Sequence, residues 1–170
     1  MAGIDIAGGA GSSQFVSGYY LSAYSDQNYS LNAPNAVKTL QYNNTVLSNG
    51  ITIDQFNFSK ISFTYSGIYN LQFSCQVLNS SVQDHEFYLW LCKNGIPVNY
   101  SNSIVTIPST HGGIDGHFIA AWNFVFSATA GEFYELCWSG NNTAISIETL
   151  PAIPPNIPAS PSVILTVQQI

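Results

Sequence analysis

The chain has almost no positive charge: Lys38, Lys60 and Lys93 are its only cations, arginine is absent, and the formal net charge is −6. Binding to nucleic acid rests mainly on neutralising phosphates, so this field excludes nucleic acid as a partner. Anionic membrane surfaces are disfavoured for the same reason. Charge of either sign is scarce, at 7% of residues, where about 25% is usual in soluble domains. Asn, Ser, Thr, Gln and Tyr must supply the surface polarity. A surface so neutral is poorly protected against association, and the expectation is a protein that assembles.

Cysteine is nearly absent too. Cys75, Cys92 and Cys137 each sit inside an apolar strand pattern. Their odd number and wide spacing fit neither a disulfide framework nor a zinc site, so three buried free thiols are expected. A chain of 170 residues can bury about 70% of its unfolded surface as one domain without staples. No apolar run reaches the roughly 18 residues of a spanning helix, and MAGIDIAGGAGSS lacks the basic start and apolar core of a signal peptide. The expectation is a soluble product made in a cytosol. Six Asn-x-Ser/Thr triplets, beginning at Asn28, Asn43, Asn57, Asn79, Asn99 and Asn141, then reflect a chain rich in Asn and Ser rather than glycan acceptors. Helix signals are missing throughout.

What is present is strand after strand. Residues 61–77, ISFTYSGIYNLQFSCQV, hold two runs of strict alternation around a Ser66-Gly67 turn. Side chains in a strand point to opposite faces with period two, so Tyr69, Leu71, Phe73, Cys75 and Val77 share an apolar face opposite Asn70, Gln72, Ser74 and Gln76. Upstream lie GYYLSAY, AVKTLQY and TVLSNGITI with an Asn49-Gly50 turn. Downstream, EFYLWLCK is joined to IPVNYS by Asn94-Gly95, a hairpin whose turn needs positive φ at both central residues. HFIAAWNFVFSA, EFYELCW, TAISIE and SVILTVQQ bring the total to roughly eight to ten strands, the number of a two-sheet sandwich. EFYLWLCK and HFIAAWNFVFSA are apolar at both parities and call for cover on both faces, most simply by a partner subunit. Residues 150–161 carry five prolines and read as an extended loop feeding the last strand. In that strand Val163, Leu165 and Val167 oppose Ile164, Thr166 and Gln168.

Phe63, Ser66-Gly67-x-Tyr69, then Leu89, Leu91 and Asn94-Gly95 with Val98, then residues 128–134 as a turn into a strand, then a terminal ILTV follow in an order that resembles the tumour-necrosis-factor and complement-q-like jelly roll. AAWNFVFSATAGEFYELCWSG and the Pro-rich lead into SVILTVQQI look like the version found in structural proteins of tailed bacteriophages. The resemblance spans residues 18–170. It implies an all-β fold, a two-sheet antiparallel jelly-roll sandwich preceded by a short extended N-terminal arm (residues 1–17), which associates as a homotrimer about a threefold axis. It implies no chemistry, because the fold hosts many functions. Thr129-Ala130-Gly131-Glu132 departs from the animal proteins, where Gly followed by Asp is usual, and no collagen-like stalk is read before the module. Trimerisation would rest on the module itself, with Asn70, Gln72, Ser74, Gln76, Thr166 and Gln168 as the candidate trimer face.

Catalytic and metal constellations are thin. Glu132 and Glu135 fall on opposite faces of a strand and cannot flank one glycosidic bond; they read as solvated edge or loop charges. Asp84, His85 and Glu86 read as a polar turn against an acid-base or cation site. His111, Asp115 and His117 in STHGGIDGH have donor types suited to a metal but no known ligand spacing, and Gly112, Gly113 and Gly116 precede no helix that would cradle a phosphate. Tyr19, Tyr20, Tyr24, Tyr29, Tyr42 and Tyr100 are candidates for sugar stacking, with strand pairing or trimer packing as the competing role. No enzyme activity and no cofactor is expected.

The reading is a virion structural protein: a trimeric decoration or cement protein that binds the major capsid protein through its trimer base and arm. Ile4, Asp5, Ile6, Gln14 and Phe15 are the arm's candidate contacts. The protein would be made in the host cytoplasm and end in the virion. The alternative is a receptor-binding tip of a tail fibre or spike that recognises a host surface glycan.

Overall fold

The computed structural model describes residues 18–170; the arm and its candidate contacts Ile4, Asp5, Ile6, Gln14 and Phe15 lie outside them. The described residues form strands and no helix. In chain order the strands are β1 (Tyr20–Ser25), β2 (Tyr29–Ser30), β3 (Lys38–Thr39), β4 (Asn44–Asn49), β5 (Ile51–Ile53), β6 (Ile61–Phe63), β7 (Gly67–Asn79), β8 (His85–Lys93), β9 (Ile96–Pro97), β10 (Ser103–Ile107), β11 (Gly116–Ala128), β12 (Phe133–Gly140), β13 (Ile145–Ile147) and β14 (Val163–Gln169). There are more of them than the sequence suggests, because several are two- or three-residue pieces of a longer path.

Two antiparallel sheets result. In the first, β4, β1, β14 and β7 lie side by side. β14 pairs with residues 69–75 of β7 and β13 with residues 77–79, whereas β11 pairs along the whole of β7 and so occupies its other edge. In the second, the order is β10-β8-β12-β6-β5, with β3 on β12 and β9 on β8.

The alternation read in residues 61–77 becomes the core. Tyr69, Leu71, Phe73, Cys75 and Val77 of β7 are buried, with Val163, Leu165 and Val167 beside them on β14. They face Phe87, Leu89 and Leu91 of β8 and Leu136 and Trp138 of β12 in one hydrophobic cluster. Phe63 ties the layers: its ring lies 4.5 Å from Tyr69 and 5.9 and 5.7 Å, edge-on, from Phe126 and Tyr134. Edge-to-face contact at this separation suits the ring quadrupoles.

Two turns that look alike in sequence play different parts. Asn94 (φ 50°) and Gly95 (φ 79°) close the β8–β9 hairpin with positive φ at both central residues, as expected. Asn49-Gly50 closes no hairpin. β4 pairs with β1 in the first sheet and β5 with β6 in the second, so Gly50 is the corner where the chain changes sheets. Its φ of 68° and the Tyr19 ring, 2.4 Å from where a Cβ would stand, leave room only for glycine.

The structure corrects two expectations about the chain path. Cys92 and Cys137 are joined by a disulfide across β8 and β12, with 6.4 Å between Cα atoms and 45 residues between them; only Cys75 is free. Spacing along the chain hid this, because sheet register rather than sequence distance brings Glu135 opposite Cys92 and Trp90 opposite Cys137, leaving the two cysteines as diagonal neighbours. Residues 150–161 do not run extended but fold back, with bridges from Leu150 to Ser160 and from Ile153 to Ile157. Asn79, which begins one of the Asn-x-Ser triplets, is fully buried, and its amide donates to the carbonyls of Gln83, Ile107 and Pro108.

The cysteine assignment is directly checkable. Burial pushes the Cys75 thiol well up, so it stays protonated and inert. A thiol titration should find no reactive group in the folded protein and one after unfolding without reductant. Reducing the disulfide should lower stability by about 4 kcal/mol in urea melts, given the length of chain it closes. Three thiols on unfolding would refute the pairing.

Candidate functional site

Charge distribution sets one surface apart. No Asp, Glu, Lys or Arg occurs on β1, β4, β7, β11, β13 or β14, so the outward face of the first sheet is nearly free of formal charge; Glu148, just past β13, stands at its rim, where its Oε1 accepts from Ser146 Oγ at 2.7 Å. The three lysines lie on or beside strands of the second sheet.

Register places all six residues of the candidate trimer face on this surface. Gln72 stands opposite Thr166 on β14 and Asn123 on β11; Asn70 stands between Gln168 and Val125, Ser74 between Ile164 and Ala121, and Gln76 beside Ile119. Gln72, Thr166 and Gln168 are exposed, while Asn70, Ser74 and Gln76 are half-buried. Asn123 Nδ2 donates to Asn70 Oδ1 at 3.3 Å, a cross-strand pair within the face. Gln76 is anchored more firmly: its N–H donates to the Ser162 carbonyl at 2.9 Å and its own carbonyl accepts from Glu148 at 3.0 Å.

Sequence reasoning missed the apolar members. Ile119 and Val125 on β11 are 59% and 57% exposed, and Ile164 on β14 is 44% exposed. They interleave with the amides and hydroxyls, so the face is mixed apolar and neutral polar. Ile164 was legible from its shared parity with Thr166 and Gln168. Ile119 and Val125 were not: β11 is apolar at both parities, and only its pairing to β7 shows that Ala120, Trp122, Phe124 and Phe126 turn inward. The second parity of β11 is left uncovered within one protomer. On β8 the same parity is partly covered by the chain itself, with Trp90 half-buried and Cys92 buried.

The remaining candidates are bound into structure. Glu132 caps the turn before β12: Thr129 N–H donates to it at 2.8 Å and Lys93 Nζ lies 2.9 Å away. The Thr129 amide first, and Lys93 second, hold its carboxyl below the usual range. Glu135 is not a solvated charge; it is buried, and Ser59 Oγ donates to its Oε1 at 2.5 Å. A buried carboxylate needs such a donor. Asp84 Oδ1 accepts from Ser109 N–H at 2.8 Å, and Glu86 bonds the Tyr88 hydroxyl. His111 and Ile114 bridge each other around Gly112 and Gly113, both at positive φ. Among the described residues no three His, Cys, Asp or Glu side chains are grouped to hold a metal ion.

The tyrosines divide. Tyr42 is fully buried, Tyr19 stacks on Tyr65 at 4.1 Å, and Tyr29 Oη lies 2.5 Å from Ser25 Oγ. Tyr20 is 44% exposed and Tyr24 half-buried on β1. Tyr100 is fully exposed at φ 64°. The turn holding it is locked by the buried Ser101, whose Oγ accepts from Leu91 N–H at 3.0 Å and donates to the Val98 carbonyl at 2.7 Å.

No protein-family model matches the chain, and no curated protein matches it significantly. Among solved structures it is similar to murine APRIL in a crystal structure at pH 5.0, with a TM-score of 0.54, 16% identity, and coverage of 90% of this chain and 99% of that one. The protein is therefore an all-β, TNF-like jelly roll, and the likeness extends to the fold alone.

Proposed function

We propose that this TNF-like jelly roll is a homotrimeric structural protein of a tailed-phage virion, which decorates or cements the outer shell. The observation that carries self-association is the sheet face whose centre, on β7, β11 and β14, holds no Asp, Glu, Lys or Arg. Its neutral amides and half-exposed aliphatics can be buried against a second copy without stranding an unpaired charge, which would cost several kcal/mol. A heterologous contact repeated by rotation closes into a ring, and three is the number the family resemblance implies. The role is mechanical. A trimer seated where capsid subunits meet ties them together, and three weak arm contacts to the major capsid protein gain strength by avidity. Glu132, Glu135, Asp84 and Glu86 each serve a structural bond, which supports a non-catalytic role.

The virion context rests on the resemblance of the strand text to phage proteins. Its test is the copy number of this chain per purified virion relative to the major capsid protein, by quantitative mass spectrometry. A ratio on the scale of the shell is expected, and absence from the particle would overturn the reading. Deleting residues 1–17 should leave the oligomer intact and abolish shell binding.

A second reading, the receptor-binding tip, is favoured by Tyr100. A bulky residue at positive φ is uncommon and costs stability unless the surroundings enforce it; here they enforce a ring held wholly in solvent. A copy number on the scale of one tail would favour that reading.

A further inference from the structure

The hairpin of residues 150–161 stands beside the sheet face described above, with Glu148 and Asp26 near its base, and residues 151–159 are exposed. Leu150 and Ser160 exchange backbone hydrogen bonds at 3.0 and 2.9 Å, and Ile153 and Ile157 do so at 2.9 and 3.0 Å. Its five prolines restrict the backbone further, so little conformational entropy remains to be lost on docking. The base is fastened to β7, where Gln76 N–H donates to Ser162 and Gln76 Nε2 lies 3.4 Å from Ser160 Oγ. The far end is apolar and open to water: Ile153 is 59% exposed and Ile157 58%.

Beside it runs a cleft of about 460 Å³ between the hairpin and β11. Phe118 and Ile119 form one wall, Leu150, Pro151 and Ile153 the other, with Gln76 between and His117 at its end. No Asp, Glu, Lys or Arg lines it, and residues 149–170 contain none.

We propose that this hairpin is an intersubunit clasp, whose Ile153 and Ile157 seat against the apolar cleft and sheet face of a second copy of this chain. The inference rests on the homotrimer reading and adds to it the element that locks neighbouring protomers. Electrostatics select the occupant. A charged partner would bury charge against a hairpin and cleft with no ion to pair it, whereas a second copy brings a face of the same neutral chemistry. Each protomer carries both a knob, at the hairpin tip, and a hollow, beside the hairpin base, and a ring closes when the knob of one protomer meets the hollow of the next. The rigid hairpin keeps the knob in place before the partner arrives.

The test uses the full chain and two variants, Ile153→Ser/Ile157→Ser and Ile153→Asp/Ile157→Asp, followed by sedimentation velocity and native mass spectrometry on dilution. Both side chains are mostly exposed, so the protomer should melt as the wild type does. The serine variant should dissociate at a concentration roughly a hundredfold higher than wild type, since two aliphatic contacts are lost from every interface. The aspartate variant should be monomeric. A wild-type trimer whose dissociation is unchanged in both variants would overturn the clasp alone. A wild-type chain that is monomeric throughout would overturn the homotrimer reading and the clasp with it.

Discussion

Gly116→Ala should be among the most damaging single substitutions in this protein, lowering stability by about 3 kcal/mol or more, or roughly 10 °C in Tm. Gly116 opens β11, and a Cβ there would stand 1.7 Å from the Pro108 carbonyl oxygen and 2.7 Å from its carbon. Both are backbone atoms, so no side chain can swing away to make room. Nor is the carbonyl free to retreat, because the buried Asn79 amide donates to it at 3.2 Å and to the neighbouring Ile107 carbonyl at 3.3 Å. Relief requires parting β10's exit from β11's start and leaving buried polar groups unpaired. Gly113→Ala is the control. Its Cβ would meet nothing within 4 Å, but its φ is 81°, so only the left-handed backbone penalty of about 1 kcal/mol applies. Thermal melts of the two variants decide the matter; equal losses would show that the Gly116 contact relaxes at little cost.

The second large effect concerns assembly. Gln72→Lys/Thr166→Lys places two positive charges at facing positions in the middle of the neutral sheet face. Both residues are exposed in the protomer, so the variant protomer should still fold cooperatively, its melt lowered only by the stabilisation that assembly supplies to the wild type. In a trimer, six lysines would be brought into interfaces whose central strands β7 and β14 hold no carboxylate, and desolvating them without partners costs several kcal/mol per contact. The expected result is a folded monomer, seen as a threefold drop in mass by light scattering. Retention of the trimer would place the contact surface elsewhere, on the second sheet or at the ends of the sandwich.

How much of this was legible in the chain depends on which interactions are local. The alternation at residues 61–77 specified β7 and its inward face, because period two is a property of the extended backbone itself. Asn94-Gly95 specified its turn, because two consecutive positive φ values are tolerated by few residue pairs. Asn49-Gly50 carries the same dipeptide, yet it joins two sheets; whether the flanking strands pair with each other is a long-range matter that the dipeptide does not encode.

The cysteine expectation failed for a related reason. Forty-five residues separate Cys92 from Cys137, and only the register of β8 on β12 makes them neighbours. Glu135 was read as a solvated charge because its burial depends on Ser59, 76 residues away. The proline-rich segment was read as extended because proline forbids helix and central strand. That rule says nothing against a chain that bridges to itself through Leu150, Ile153, Ile157 and Ser160, none of which is proline.

By itself, then, the sequence determined the β class, the inward face of the central strand and the scarcity of charge for the surface to carry. All of these follow from composition and from periodicities only a few residues long. The tertiary structure decided which strands share a sheet, that the strands carrying a lysine or a glutamate, β3, β8 and β12, all fall in the second, and that Ile119, Val125 and Ile164 interleave with Asn70, Gln72, Ser74 and Thr166 in one face. It also decided that the proline-rich hairpin stands beside Gln76 and Ile119 of that same face. These are outcomes of pairing between residues far apart in the chain, which only the packed core selects.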